Sequence, residues 1–177
     1  MQYKLTTPCA AEDLAMLRAG DTVLLSGIVY TARDAAHKRM CEALDAGETL
    51  PFDLAGSAVY YVGPTPEKPG QIIGSAGPTT SGRMDAYSPR LLDLGNKVMI
   101  GKGKRDAAVK EAVVRNGAVY VAALGGAGAL MCQCVKSLEV IAWPDLGCEA
   151  VRRLEVEEMP LTVILDSKGG EIGRAHV

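Results

Sequence analysis

Large aromatics are scarce in this chain: 177 residues contain one phenylalanine and one tryptophan. No basic run breaks the near-neutral balance, a formal net charge of −2. Nucleic-acid binding needs a cationic footprint and rings on which bases stack, so that class is set aside. A leader peptide is not expected, because Met1–Thr7 is polar and mixed. The longest uncharged run, Asn116–Val135, has the length of a membrane span but contains four glycines. It reads instead as a strand, a turn at Gly125, Gly126 and Gly128, and a short helix. A cytoplasmic protein without membrane contact is the expectation.

Regular cysteine spacing is also missing. The five cysteines are Cys9, Cys41, Cys132, Cys134 and Cys148. An odd number without a secretory leader argues for reduced thiols. Cys132 and Cys134 stand too close for a metal knuckle, and the set lacks the spacing of a cluster-ligand run. All five read as small buried hydrophobes, and no metal site is expected.

What is present is a chain of apolar runs alternating with helical patterns. Strands are expected at Thr22–Tyr30, Val59–Gly63, Lys97–Gly101, Ala118–Leu124, Leu138–Trp143 and Leu161–Leu165, with a short one at Ile72-Ile73. Helices are expected at Ala10–Arg18, Ala32–Ala46 and Asp106–Arg115. A further helical face carries Met84, Tyr87, Leu91 and Leu94, kinked or delayed by Pro89. Gly27 inside a strand signals a bulge or a close backbone approach. Alternation of this kind defines an α/β class. No repeat or linker divides it, so residues 1–177 read as a single compact domain with a tail frayed from about residue 171.

The densest polar stretch is Gly77-Pro78-Thr79-Thr80-Ser81-Gly82-Arg83-Met84-Asp85. It reads as a strand end, a tight turn and a helix start, where unpaired amides and hydroxyls meet an anion. A capped helix with a polar loop is the plainer alternative. Arg33 opens the second helix, where a cation opposes the helix dipole. It either faces an anion or pairs with Asp34 or solvent. His37, one turn on, reads as a surface or hydrogen-bonded histidine. Gly101-Lys102-Gly103-Lys104-Arg105 is a cationic turn without P-loop spacing. Lys104 and Arg105 read as solvated, whereas Lys102 closes a strand. The glycines after Ala118–Leu124 do not form a dinucleotide fingerprint, which disfavours a dinucleotide-dependent oxidoreductase. Arg33, Arg83 and Lys102 thus fall at three strand-to-helix junctions, where α/β sheets bind ligands. Three cations there suit a small dianion.

Four separated runs carry a resemblance: TARDAAHKR at Thr31–Arg39, GPTTSGRMD at Gly77–Asp85, KGKR at Lys102–Arg105 and DSKGG at Asp166–Gly170. Together with the lead Lys4-Leu5-Thr6-Thr7-Pro8 they resemble the β subunit of class I, iron–sulfur-dependent fumarate hydratases and the related tartrate dehydratases. The resemblance implies a swivelling β/β/α domain that is half of a hydro-lyase. It implies that this chain binds no cofactor, the [4Fe–4S] cluster being carried by an α subunit in an α2β2 assembly. It also implies that Arg33, Arg83 and Lys102 hold the substrate carboxylates and that Thr79 is the base. His37, Thr80, Ser81 and Asp85 would support the site. Fumarate and malate are the first expectation for substrate and tartrate the alternative. A non-catalytic anion-binding or regulatory module is the reading of another class.

Overall fold

The structure is a computed structural model that describes residues 1–64, 67–74, 77–123 and 128–172, the side chains of 128–130 excepted. Among the described residues seven strands and five helices follow in the order β1 (Gln2–Thr6), α1 (Ala11–Leu14), β2 (Thr22–Thr31), α2 (Asp34–Asp45), β3 (Ala58–Tyr60), α3 (Ser88–Asp93), β4 (Val98–Gly101), α4 (Ala107–Asn116), β5 (Val119–Ala123), α5 (Gly128–Gln133), β6 (Val135–Ala142) and β7 (Val151–Leu165). Two 3-10 turns, Ser81–Met84 and Pro144–Glu149, complete the described elements. The mixed α/β class is therefore as the sequence implies, and the strands form one sheet.

The sheet order is β1-β2-β3-β4-β5-β7-β6, with β2 also paired to β7. Strands β2, β3, β4 and β5 run parallel, and β7 runs antiparallel to both β2 and β5. The pairings β2-β3-β4-β5-β7-β2 thus close a ring. Alternation along its strands feeds two cores. Tyr60, Val98, Ile100, Val119 and Val121 face one, with Leu14 and Leu17. Val59, Tyr61, Met99 and Tyr120 face the other, against Met40, Leu91 and Val109 of the helices.

Helix α1 is shorter than expected, ending at Leu14, yet Leu14 and Leu17 are both fully buried. Pro89 lies in the first turn of α3, so that helix begins late, as proline at this position favours. Leu94, expected on its buried face, is 49% exposed because the helix has ended. Gly27 combines both expected roles. Its φ is +106°, the β2–β7 register shifts beside it, and a Cβ there would meet Thr7.

Three expectations need correction. Ile72-Ile73 is not a strand: residues 72–74 form a bend. Strand β3 already has β2 on one edge and β4 on the other, which leaves no ladder position. Ile73 is buried by packing alone while Ile72 is exposed. Second, β7 runs 15 residues rather than the five of Leu161–Leu165, its early half paired with β2 and β6. Third, only Cys9 of the five cysteines is fully buried; Cys41, Cys132 and Cys134 are half-buried and Cys148 is exposed. The glycine-rich turn at residues 124–127 and tail residues 173–177 lie outside the described residues. Among the described residues no helix is long and apolar enough to cross a membrane.

Candidate functional site

The parallel strands β2, β3 and β4 are in register, Thr31 beside Tyr60 and Tyr60 beside Ile100. Their carboxyl ends therefore open on one edge. Arg33 stands two residues past Thr31, Gly63 three past Tyr60, and Lys102 two past Ile100. The loop carrying Thr79, Thr80 and Arg83 is laid onto the same edge. Thr79 N donates to the Tyr61 carbonyl at 2.7 Å and Ser81 N to the Lys102 carbonyl at 2.8 Å. Thr80 and Lys102 form an isolated parallel bridge.

This geometry changes the expected role of the polar stretch. Residues Ser81–Met84 form a single 3-10 turn rather than the start of an α-helix. The amides of Thr79 and Ser81 are spent on the sheet and are not free to meet a ligand. Ser81 is turned inward and fully buried, accepting from the Tyr120 hydroxyl at 2.8 Å. A side chain on Gly101 would collide with that serine, which accounts for the glycine. Thr80 is exposed and Thr79 half-buried.

Arg33 precedes α2 in an extended conformation, so it lies outside the first helical turn. Its Nε is buried and has no hydrogen-bond partner among the described residues. Asp34 does not neutralise it: the Asp34 carboxylate pairs loosely with Arg83 at 3.8 Å, and its Oδ1 is buried with no hydrogen-bond partner among the described residues. Arg83 and Lys102 are exposed. His37 is buried, with Nδ1 2.8 Å from the Arg33 carbonyl and its ring edge-on to Tyr61 at 5.3 Å. Burial lowers its pKa to about 4, so the ring is neutral at pH 7.

Behind this edge lies a feature that the sequence pattern misplaces. Arg105 is not solvated: its side chain is wholly buried. Nε donates to Asp85 Oδ1 at 2.6 Å and Nη2 to Ser88 Oγ at 2.8 Å. Burial opposes its charge, but Tyr61 and Asp85 more than offset this and raise its pKa. Asp85 also accepts from Asp106 N at 2.9 Å, which ties the 3-10 turn to the start of α4. Lys104 is exposed as expected. Nothing in the KGKR spacing distinguishes the buried cation from the solvated ones.

The DSKGG run does not join the site. Asp166 accepts from the amides of Ala19 at 3.0 Å, Lys168 at 2.9 Å and Gly170 at 2.8 Å. It follows the end of β7 that pairs with Thr22, the opening residue of β2, so it lies at the opposite edge of the sheet. A cleft of about 310 Å3 lined by Ile73, Val140, Cys148 and Arg152 flanks the Arg33 side, since Arg33 and the Cys148 carbonyl both abut Gly63. Thr79, Arg83 and Lys102 do not line it. Among the described residues no group of three or more His, Cys, Asp or Glu could hold a metal ion.

The carboxyl edge of this α/β sheet, where ligands of such sheets bind, gathers arginine, lysine and threonine side chains. The family model of the fumarase C-terminus matches residues 1–175, and the chain belongs to that family. It is 34% identical over 177 residues to the L(+)-tartrate dehydratase subunit beta of Escherichia coli K12, covering 97% of this chain and 87% of that one. It is 39% identical over 149 residues to the aerobic class I fumarate hydratase of the same organism, covering 83% of this chain and 27% of that protein. The mitochondrial fumarate hydratase 1 of Leishmania major is 41% identical over 170 residues, covering 93% of this chain and 30% of that protein. The chain thus spans less than a third of these fumarate hydratases but nearly the whole of the tartrate dehydratase subunit.

Proposed function

We propose that this chain is the β subunit of a two-subunit hydro-lyase that reversibly hydrates fumarate to malate. The observation that carries the reading is an edge whose cations the described residues pair only in part: Arg33 Nε has no hydrogen-bond partner among them, Lys102 stands exposed, and exposed Arg83 meets Asp34 only at 3.8 Å. Arg33, Arg83 and Lys102 would grip the substrate carboxylates, the guanidiniums in two-pronged fashion. Dehydration takes a proton from the carbon beside one carboxylate and releases hydroxide from the next carbon. Negative charge then builds on that carboxylate, where these cations stabilise it. Thr79 is assigned as the base. Its hydroxyl can serve only when deprotonated, a form that neighbouring cations favour. His37 supports Arg33 through its carbonyl, and Asp85 supports the Arg83 turn through Arg105.

The site so formed is open, which fits one shared with an α subunit in an α2β2 assembly. A [4Fe–4S] cluster on that subunit would supply Lewis-acid help to the leaving hydroxyl. The swivelling β/β/α arrangement belongs to the same reading, as does a cytoplasmic setting. L(+)-tartrate dehydration is the second reading, favoured by one observation: the chain covers 87% of the tartrate dehydratase β subunit. Both readings are tested by anaerobic co-expression with an α-subunit partner and side-by-side assay of fumarate hydration and tartrate dehydration. Activity requiring both chains is expected, and the ratio of rates names the substrate. Absence of any complex would overturn both readings in favour of an independent anion-binding module.

A further inference from the structure

We infer that Arg105 is the positioning residue of this edge: its buried guanidinium sets where Thr79, Arg83 and Lys102 stand. The inference rests on the reading above that those three act on the substrate.

A guanidinium is expensive to bury, and an apolar side chain of similar volume often does as well where only packing is needed. Arg105 is therefore informative by what it touches. It is wholly buried, and its bonds run in three directions. Towards the turn, Nε donates to Asp85 at 2.6 Å, directly after the Ser81–Met84 turn that carries Arg83. Towards β3, Nη2 lies 3.3 Å from the Tyr61 hydroxyl, and the Tyr61 carbonyl holds the Thr79 amide. Towards β5, the guanidinium lies 4.8 Å from the Tyr120 ring, whose hydroxyl holds Ser81; the Ser81 amide in turn holds the Lys102 carbonyl. A further bond from Nη2 to Ser88 fixes the start of α3. The three substrate-facing residues come from two separate loops, and Arg105 is the group bonded to or stacked on the supports of both. A filler side chain would occupy the space without fixing these directions. Lysine would keep the charge but offers a single ammonium in place of the planar fork.

The test uses the αβ complex with Arg105→Lys, Arg83→Lys and the double variant, read by kcat, KM and melting temperature. Arg105→Lys leaves Asp85, Ser88 and Tyr61 short of donors and should lower the melting temperature, so kcat is read well below the melt and per folded molecule. Its kcat should fall by about 100-fold, the scale of an ångström-level misplacement, with a smaller change in KM. Because part of the effect of Arg105 runs through Arg83, the combined loss in the double variant should be smaller than the product of the two single losses. A structural role alone predicts losses that follow the folded fraction. Losses that multiply, or an Arg105→Lys enzyme within about threefold of wild type, would overturn the inference. A silent wild-type complex counts against the hydro-lyase reading instead. Amide hydrogen exchange of the complex then decides: the Thr79 and Ser81 amides should exchange faster in Arg105→Lys while the β2 amides are unchanged. Equal exchange at Thr79 and Ser81 would overturn the positioning role.

Discussion

The carbonyl oxygen of Arg33 accepts twice from His37, from its backbone N–H and from its ring Nδ1, each at 2.8 Å. A carbonyl cannot donate, so Nδ1 carries the proton and the neutral ring has its free lone pair on Nε2. Burial holds the folded pKa near 4, below the ordinary 6.5, and the charge of Arg105 adds to the same shift. The sign follows from linkage. Between about pH 4 and 6.5 the unfolded chain binds a proton that the folded chain refuses, so stability falls as pH drops through that window. His37→Asn keeps a donor near the Nδ1 position and removes the titration. We expect melting temperature to fall for wild type between pH 6.5 and 4.5 and to stay flatter for His37→Asn; parallel curves would show that His37 does not contribute.

Gly63 leaves room for Arg33. A Cβ at residue 63 would lie 2.6 Å from Arg33 Nη1, 2.9 Å from its Cδ and 3.1 Å from the Cys148 carbonyl. The contact falls mainly on a flexible side chain, so Gly63→Ala should leave the fold intact and move the guanidinium. If Arg33 grips a carboxylate, KM for the dicarboxylate should rise roughly tenfold with a melting temperature near wild type. Unchanged KM would remove Arg33 from the binding set.

The alternation of strands and helices was legible because β3, β4 and β5 are apolar runs closed by turns. Arg33 and Lys102 were legible as cations just past strand ends, whereas Arg83 was not, since Ile72-Ile73 before it lies in a bend. The first half of β7 was not legible. Charges at Arg152, Arg153, Glu155 and Glu157 interrupt Val151, Leu154 and Val156, and Pro160 reads as a breaker. Only the pairing with β2 and β6 makes that alternation a strand. Arg105 was hidden for a related reason. Its partners Asp85 and Tyr61 lie 20 and 44 residues away in sequence, and burial is decided by that meeting rather than by the cationic run around it. The loop at Thr79–Ser81 looked like a helix start because its composition suits one. Its amides went to the sheet instead, which no local pattern records.

Asp166 belongs to the other edge and offers a control. Burial works against its charge, but the amides of Ala19, Gly170 and Lys168 prevail and hold its pKa below the usual range. Its contribution is present above the unfolded carboxyl pKa and is lost as pH falls through the depressed folded value. Asp166→Ala leaves three amides without their acceptor and should cost about 2–3 kcal/mol in urea unfolding. Turnover per folded molecule should be unchanged, because the residue lies across the sheet from the edge proposed to hold substrate. A loss of turnover without a loss of stability would mean that the two edges are coupled.

Arg83 separates binding chemistry from folding most cleanly. Its side chain is 57% exposed, and its one described ion pair, with Asp34 at 3.8 Å, is long and solvated. Such pairs contribute about 0–1 kcal/mol, so Arg83→Ala should melt within a few degrees of wild type. If Arg83 grips the substrate carboxylate as proposed, the same change in the complex removes a cation from the group on which charge develops. Losing a donor of that kind costs about 100- to 1,000-fold in kcat. Arg83→Lys should recover part of the loss, since it restores the charge without the two-pronged geometry. The decisive measurement is kcat of the purified αβ complex for wild type, Arg83→Ala and Arg83→Lys, beside their melting curves. If Arg83→Ala turns over at a near-normal rate, the cations of this edge serve solubility or docking, and the substrate is held elsewhere.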